Sequence, residues 1–491
     1  MKKVLFITTQ EKKYNATDEL IKIRTFLSKT DHNYFDKAFL EKYLRKSPVS
    51  DFSFSWYPEN APGYWMSRNI LTQSKILAKP ADILSVEKEL KKGSYSHIVI
   101  AIYLSGYIDF VEISKYLRKK WPKIKIIGAS VGALLEQSKQ FADYTITGNQ
   151  VDGLRKILDE DSSVPLKPVF IPSSTTTTFK GLVKKNRYAL LITSLGCMFG
   201  CDFCPSTAQF GKSYSSPFTA KQIKNEIIRA KEAIAPSKKT FTISLADPQG
   251  MGDIKLWKEV FKFCKDLPFT CDLITTTSSK IIEKYDLKEL TSGALRVTTI
   301  NIGVESLISG YEKNKNMDLR CLINRIQGAG INVVATYIVG FDWQNQKNVL
   351  QEIKLLKKLG SSGHIIANLE MQPGTPIFKQ YQKNDRILNI PPELLAFWGY
   401  QAFTHPNFKT GFNDMLPLLK KISDYLCRGE EIFSKNLEIF LNRNNPFDKP
   451  LQEKIKSELK KTDSDQKRSL LYYKLVFKQI DLFHPYIIST N

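Results

Sequence analysis

Apolar positions in the first 175 residues follow two rhythms. Short β-branched runs such as "KVLFITT" (3–9), "SHIVIAIYL" (96–104), "IKIIGAS" (124–130) and "DYTITG" (143–148) have the length of buried strands. Between them, "DFVEISKYLRKKW" (109–121) spaces its apolar residues as a helix does. Strand, helix and strand at this interval predict a doubly wound parallel sheet covered on both faces. Residues 31–75 are aromatic-rich and irregular. "IPSSTTTTFKG" (171–181) is polar and β-branched without periodicity, and reads as a linker or an exposed extended segment.

The alternation then resumes with a regular beat. Candidate strands lie at 188–196, 240–247, 269–277, 296–306, 331–341 and 364–374, separated by helical patterns such as "TAKQIKNEIIRAKEAI". Repeated βα units of this kind build a barrel or partial barrel. Chemistry in such folds sits at the C-terminal ends of the strands. From about residue 391 the chain reads as helical and lysine-rich, with "DMLPLLKKISDYLCRGEEIFSKNLEIFL" expected to pack against the barrel.

Length changes this picture little: 491 residues suggest about two to four domains. Apolar residues make up 42% and charged residues 25%, enough for sizeable cores. Lysine and arginine number 72 against 49 acidic residues, a net charge of +23. They are scattered, without the dense block or aromatic interleaving of a single-strand binder, so a nucleic-acid partner is not expected. The opening "MKKVLFITTQ" is too short for a signal peptide, and no run of eighteen apolar residues appears. A soluble, cytoplasmic protein is the expectation.

The chemistry announces itself at "SLGCMFGCDFC" (194–204), which holds three of the seven cysteines. An odd count argues against a disulfide framework. Cys264, Cys271, Cys321 and Cys427 are isolated in apolar surroundings and read as buried small hydrophobes. Cys197, Cys201 and Cys204 can hold three corners of an iron–sulfur cubane and leave the fourth open to a ligand. Gly196 and Gly200 allow the tight turn this needs. Zinc, which normally wants four ligands in paired spacings, and chance clustering of core thiols are the alternatives.

"CMFGCDFC" matches the CxxxCxφC pattern of the radical S-adenosylmethionine enzymes, with Phe203 as the aromatic before the last cysteine. "NIGVES" (301–306) resembles the family's fourth-strand motif, "GINVVATYIVGFDWQNQKNVLQEI" its fifth-strand segment, and "PGTPIF" (373–378) a sixth-strand ending found in one large subgroup. That subgroup carries an N-terminal cobalamin-binding domain, and the first 150 residues are similar to it in outline. The resemblance implies an α/β fold in three parts. A Rossmann-like, doubly wound domain of cobalamin-binding type covers 1–175. A radical SAM partial (β/α)6 barrel of TIM type covers 176–390, and a helical C-terminal region covers 391–491.

It also implies the cofactors: a 4Fe-4S cluster on Cys197, Cys201 and Cys204, S-adenosylmethionine chelated at the open iron, and cobalamin. One electron, from a donor such as flavodoxin or ferredoxin, would cleave the sulfonium to a 5′-deoxyadenosyl radical acting on a small-molecule substrate. By the same resemblance Glu305 and Ser306 contact the ribose or methionine part, Asp247 the amino group, and Gly340 the adenine. Each has a structural alternative, such as a capping carboxylate or a tight strand exit. In the N-terminal domain Ser105, Gly106, Gly128, Ala129 and Ser130 occupy strand ends where a doubly wound sheet binds its ligand.

No Asp-x-His-x-x-Gly loop supplies a histidine to cobalt, since Asp31 and His32 are adjacent and His97 opens a strand. His364, His405 and His484 show no ligand spacing. The leading expectation is a cobalamin-dependent methyltransferase acting on an unactivated carbon or phosphorus. The alternatives are a cyclase or rearrangement enzyme that has kept the domain and lost cobalamin, a tRNA-modifying relative, and a non-catalytic module. Against the tRNA reading, no cysteine precedes Cys197 to hold a second cluster.

Overall fold

The computed structural model describes residues 2–9, 14–15, 38–39, 42, 52–57, 59–179, 182–308, 314–426 and 429–460. Asp31, His32, Cys427, His484 and, within the stretch 31–75, residues 31–37, 40–41, 43–51 and 58 lie outside them.

In chain order the N-terminal part supplies β1 (Lys3–Thr8), β2 (Tyr14–Asn15), β3 (Phe52–Tyr57), β4 (Gln73–Ile76), β5 (His97–Ala101), β6 (Lys125–Ala129) and β7 (Tyr144–Ile146). Five of these form an all-parallel sheet in the order β4-β1-β5-β6-β7. All five residues of β5 are buried, as a strand covered on both faces must be. The order reverses between β1 and β5, and a doubly wound sheet opens a ligand crevice at the C-terminal ends beside such a reversal.

The second sheet is built from β8 (Val169–Phe179), β9 (Leu182–Ile192), β12 (Thr240–Leu245), β13 (Thr270–Thr276), β14 (Leu295–Glu305), β15 (Asn332–Val339) and β16 (Gly363–Asn368). The small pair β10 (Leu195–Gly196) and β11 (Tyr214–Ser215) stands apart from it. Six strands, β9 and β12 to β16, run parallel, which makes an open half-barrel. On the β9 side β8, β3 and β2 extend it antiparallel. The stretch 171–181, expected as linker or exposed segment, is instead mostly strand β8, paired with β9 from Val169 to Phe179. Its threonines are β-branched and suit a sheet, and Ser173 and Thr175 are buried there.

Helices cover the outer face. Helix Ala220–Ile234 begins at a Thr219–Gln222 capping box and buries Ile223, Ile227, Ala230 and Ile234, one stripe at helical spacing. Past residue 391 the chain is less helical than expected. Residues 396–414 are irregular, tied by bridges at Ile387–Phe403 and Gln401–Gly411, before helices Met415–Leu426, Gly429–Asn442 and Lys449–Lys460. Met415, Leu416, Leu419 and Ile422 share a core with Tyr337, Val339 and Ile366, so this region packs on the half-barrel. Cys264 and Cys271 are buried as expected, whereas Cys321, on helix Leu319–Gly328, is exposed.

At the N-terminal ends of β13 and β14 a buried ionic network fastens the C-terminal helices. Arg296 meets Asp272 at 2.7 Å and Asp448 at 2.8 Å, and Arg443 approaches Asp448 at 3.5 Å. Burial pushes Asp448 up and Arg443 down from their ordinary pKa values, the direction expected when water is removed from charge.

Candidate functional site

Along β14, Ile300, Ile302 and Val304 enter the hydrophobic cores, while Asn301, Gly303 and Glu305 line an interior cavity. This is the strand's period of two expressed as an apolar outer and a polar inner face. The cavity, about 410 Å3, opens at the C-terminal ends of the half-barrel strands. Cys197, Cys201 and Cys204 all stand on its wall.

The loop that carries them depends on two glycines. Gly196 has φ 73° and Gly200 φ 64°, backbone that side chains rarely adopt. A Cβ on Gly196 would lie 2.2 Å from the Ser213 carbonyl oxygen, and one on Gly200 2.3 Å from Lys212 Cγ. The loop closes on itself through Cys204 N–H donating to the Cys201 carbonyl at 3.2 Å. It is also tied across the mouth: Ile377 N–H donates to the Asp202 carbonyl at 3.1 Å, joining the loop after β9 to the helix after β16.

Among the described residues no three Cys, His, Asp or Glu side chains gather as they would on a single ion. Zinc draws its ligands to one centre, whereas a cubane seats each thiolate on a separate iron. Three thiols on one cavity wall are a donor set that a cubane could take, one to each of three irons.

Phe203 lines the cavity and meets Phe341 edge-on at 5.8 Å. Glu305, also on the wall, is 5% exposed and holds φ 63°, where β14 slips register against β15. A non-glycine residue kept in this conformation at a cavity marks a position where the surroundings impose strain. Asp247 lines the cavity too, yet its carboxylate is engaged. Thr193 N–H donates to Oδ1 at 2.8 Å and the Thr193 hydroxyl donates to Oδ2. Burial pushes the Asp247 pKa up to about 6, against the opposing pull of hydrogen bonds from Thr193 and Ser194.

Two expected residues stand off the cavity wall. Ser306 donates its hydroxyl to Glu352 Oε2 at 3.0 Å. Gly340 N–H donates to Gln344 Oε1 at 2.7 Å, and its α-carbon faces Leu369 and Met415. Among the wall residues not singled out from sequence are Gln249, Asn301, Glu370 and Gln372. Gln249 donates to Thr277 Oγ1 at 2.7 Å, and its Oε1 lies 4.0 Å from Cys197 Sγ. The local signal for a strand exit there is the Pro248-Gln249-Gly250 sequence after Asp247.

The N-terminal candidates gather at one edge of the parallel sheet. Gly128 and Ala129 end β6 and Ser130 follows, while Ser105 and Gly106 lie in the short turn after β5. Ser130 is 8% exposed, holds φ 72° and is hydrogen-bonded to the hydroxyl of half-buried Tyr103. Gly106 backs onto Thr9, whose carbonyl oxygen fills the space a Cβ would take. His97, at the start of β5, belongs to the opposite edge.

This edge faces the half-barrel. Leu104 packs in the core that contains Tyr337 and Phe397. Ile108 N–H donates to Glu393 Oε1 at 2.7 Å. Leu134 would meet a Cβ on Gly374 at 3.1 Å, and Gly148 adjoins the Gln209 carbonyl beside the cysteine loop. The ligand edge of one sheet thus abuts the mouth of the other.

Two sheets joined edge to mouth in this way define a doubly wound domain set on an open (β/α)6 half-barrel, followed by a helical region. No family model and no curated protein matches the chain. Among solved structures it is similar to the radical S-adenosylmethionine methyltransferase TsrM of Kitasatospora setae with cobalamin and a 4Fe-4S cluster bound. The TM-score is 0.57 at 10% identity, over 97% of this chain and 99% of that one. A second TsrM structure, with tryptophan substrate and the SAM analogue aza-SAM, matches at TM-score 0.54 and 11% identity, over 94% and 99%. At this identity the likeness is one of fold.

Proposed function

We propose that this protein is a cobalamin-dependent radical S-adenosylmethionine enzyme that methylates an unactivated carbon or phosphorus of a small metabolite. The observation that carries the reading is the abutment just described. The sheet edge suited to a methyl carrier looks onto a cavity whose wall holds three thiols. When bound, a reduced 4Fe-4S cluster with S-adenosylmethionine supplies a hydrogen-abstracting radical, and cobalamin supplies a mobile methyl group.

The chain's own residues position and exclude. Cys197, Cys201 and Cys204 hold the cluster, and Gly196 and Gly200 keep their loop in shape. Phe203 shields the cluster side with its ring against Phe341. Glu305 offers a fixed acceptor to the bound S-adenosylmethionine, while Asp247 acts by holding Thr193 at the head of the cysteine loop. Ser105, Gly106, Gly128, Ala129 and Ser130 would cradle cobalamin, and His97 lies at the other end of its strand. A flavodoxin or ferredoxin supplies the electron, and the protein works in the cytoplasm. No helix among the described residues is long and apolar enough to cross a membrane.

The test is anaerobic reconstitution with iron, sulfide and hydroxocobalamin, followed by metal counts and incubation with methyl-deuterated S-adenosylmethionine. About four irons and about one cobalt per chain are expected, from the three-thiolate cubane and one carrier, together with deuterated-methyl transfer to a small molecule. Iron without cobalt would leave a radical cyclase or rearrangement enzyme. Neither metal would end the reading.

A further inference from the structure

One side chain of the cavity wall joins the cysteine loop to a neighbouring strand. Gln249 stands in the loop after β12, is 3% exposed and lines the cavity. Its backbone is fixed from both sides. Ser194 Oγ donates to the Gln249 carbonyl at 3.4 Å, and Gly250 N–H donates to the Thr276 carbonyl at 2.8 Å. A Cβ on Gly250 would lie 2.2 Å from Thr275 Oγ1, so a glycine lets this loop rest on the end of β13.

The Gln249 side chain then spans the gap. Its Nε2 donates to Thr277 Oγ1 at 2.7 Å, and its Oε1 accepts from the Cys197 thiol at 4.0 Å. Thr277 is itself 3% exposed, and its N–H donates to the Asn301 carbonyl at 3.1 Å.

This arrangement suits a thiol and fails for a thiolate. A cysteine that ligates iron is deprotonated and can only accept a hydrogen bond. The thiolate and Oε1 would then face each other as two acceptors, a costly contact within a buried wall. Turning the amide over removes the conflict, because an amide carries its donors and its acceptor at nearly equivalent places. Nε2 then donates to Cys197 Sγ, while Oε1 accepts from the Thr277 hydroxyl, a group able to donate as well as accept.

We propose that Gln249, oriented by Thr277, is a tuning residue for the cluster. Its amide N–H bonds the Cys197 thiolate and raises the potential at which the cluster takes up an electron. Reduction adds negative charge to the cluster and its sulfurs, and a hydrogen bond to sulfur stabilises the more negative state. Gln249 acts here on the cluster alone, so the proposal rests on the cluster part of the proposed function and not on methyl transfer.

The experiment is a redox titration of the anaerobically reconstituted full chain, followed by electron paramagnetic resonance, with dithionite as reductant and without S-adenosylmethionine. Gln249→Met keeps the side-chain length and removes the amide. At a given potential its ratio of reduced to oxidised cluster should be about tenfold lower, a fall of about 59 mV for a one-electron couple. Gln249→Glu sets a carboxylate against the thiolate and should lower the midpoint further. Thr277→Val leaves the amide without its orienting hydroxyl and should shift the midpoint the same way by less. Thr277→Ser should restore the wild-type value. Iron content should match the wild type in all four, since none removes a ligand.

A wild-type midpoint in Gln249→Met at equal iron content overturns the proposal, as does a raised midpoint in Gln249→Glu. Should Gln249→Met take up no iron, Thr277→Val decides in its place, and an unchanged midpoint there overturns the proposal. Calorimetry on the iron-loaded chain should find affinity for S-adenosylmethionine unchanged in Gln249→Met. Lost affinity without a shifted midpoint would make Gln249 a ligand of S-adenosylmethionine and overturn the tuning role. A wild type that binds no iron would overturn the cluster reading itself, and the proposal with it.

Discussion

The two ends of the half-barrel bury polar groups in opposite ways. At the N-terminal end, Arg296, Arg443, Asp272 and Asp448 balance two positive charges with two negative ones, and the network pins the C-terminal helices. At the C-terminal end, acceptors stand without donors at Asn301 and Gln372, Glu305 sits in strained backbone, and Asp247 is held partly neutral by burial. One end ties its charges to one another and to the C-terminal helices; the other turns carboxylates, amides and thiols onto a cavity. Barrel enzymes generally divide stability and chemistry between these two faces.

Substitutions at each end should therefore separate loading from stability. Cys201→Ala should abolish iron binding and methyl transfer while leaving thermal unfolding of the unloaded protein unchanged, measured by iron assay and calorimetry. A shift in unfolding of that unloaded protein would show that the cysteine loop is also a structural brace.

At the other end, Arg296→Met leaves Asp272 without its partner and Asp448 with Arg443 alone. A cost of about 3–5 kcal/mol in unfolding free energy is expected from a broken buried pair. The folded fraction should still take up iron at the wild-type level. Lost iron uptake in that fraction would blur the division between the ends.

Gly200→Ala acts on the cysteine loop with a smaller reach, costing about 1–3 kcal/mol from the strained φ. Here the loop should load iron poorly, while the unloaded chain unfolds with no more than that loss of stability. Wild-type iron uptake would show that the loop tolerates another path.

Asp247 provides the mildest lever. Its pKa is about 6 in the folded chain against 3.8 for an ordinary aspartate, so between these values the folded state holds more proton than the unfolded one. Stability from this group is therefore greatest near pH 4 and is lost as pH rises towards 6, by up to about 3 kcal/mol. Asp247→Asn should flatten that slope in urea titrations run from pH 4 to 7. An unchanged slope would mean that other carboxylates carry it.

Much of this was legible in the chain. The βα beat placed four of the five strands after β9 within two residues of their observed ends, because buried parallel strands are rich in apolar and β-branched residues, while the last was drawn to residue 374 and ends at Asn368. The cysteine loop stood out because thiols are scarce elsewhere. By contrast β8 was unreadable: "SSTTTT" has β-branched side chains without apolar contrast, and only pairing with β9 reveals it as strand. Gln249, Asn301 and Gln372 were equally silent, since an amide in a strand or loop has no signature until topology turns it inward. Ser306 and Gly340 were placed correctly along the chain, but one faces Glu352 and the other Gln344, a distinction of side rather than of position.

The hydrogen bond between Ile377 N–H and the Asp202 carbonyl links the loops that follow the first and last strands of the parallel half-barrel. The rim is thus a bracelet, and the cysteine-bearing stretch is its clasp. Because the clasp is made from main-chain atoms on both sides, exchanging the Asp202 side chain alone should leave the two ends of the half-barrel tied.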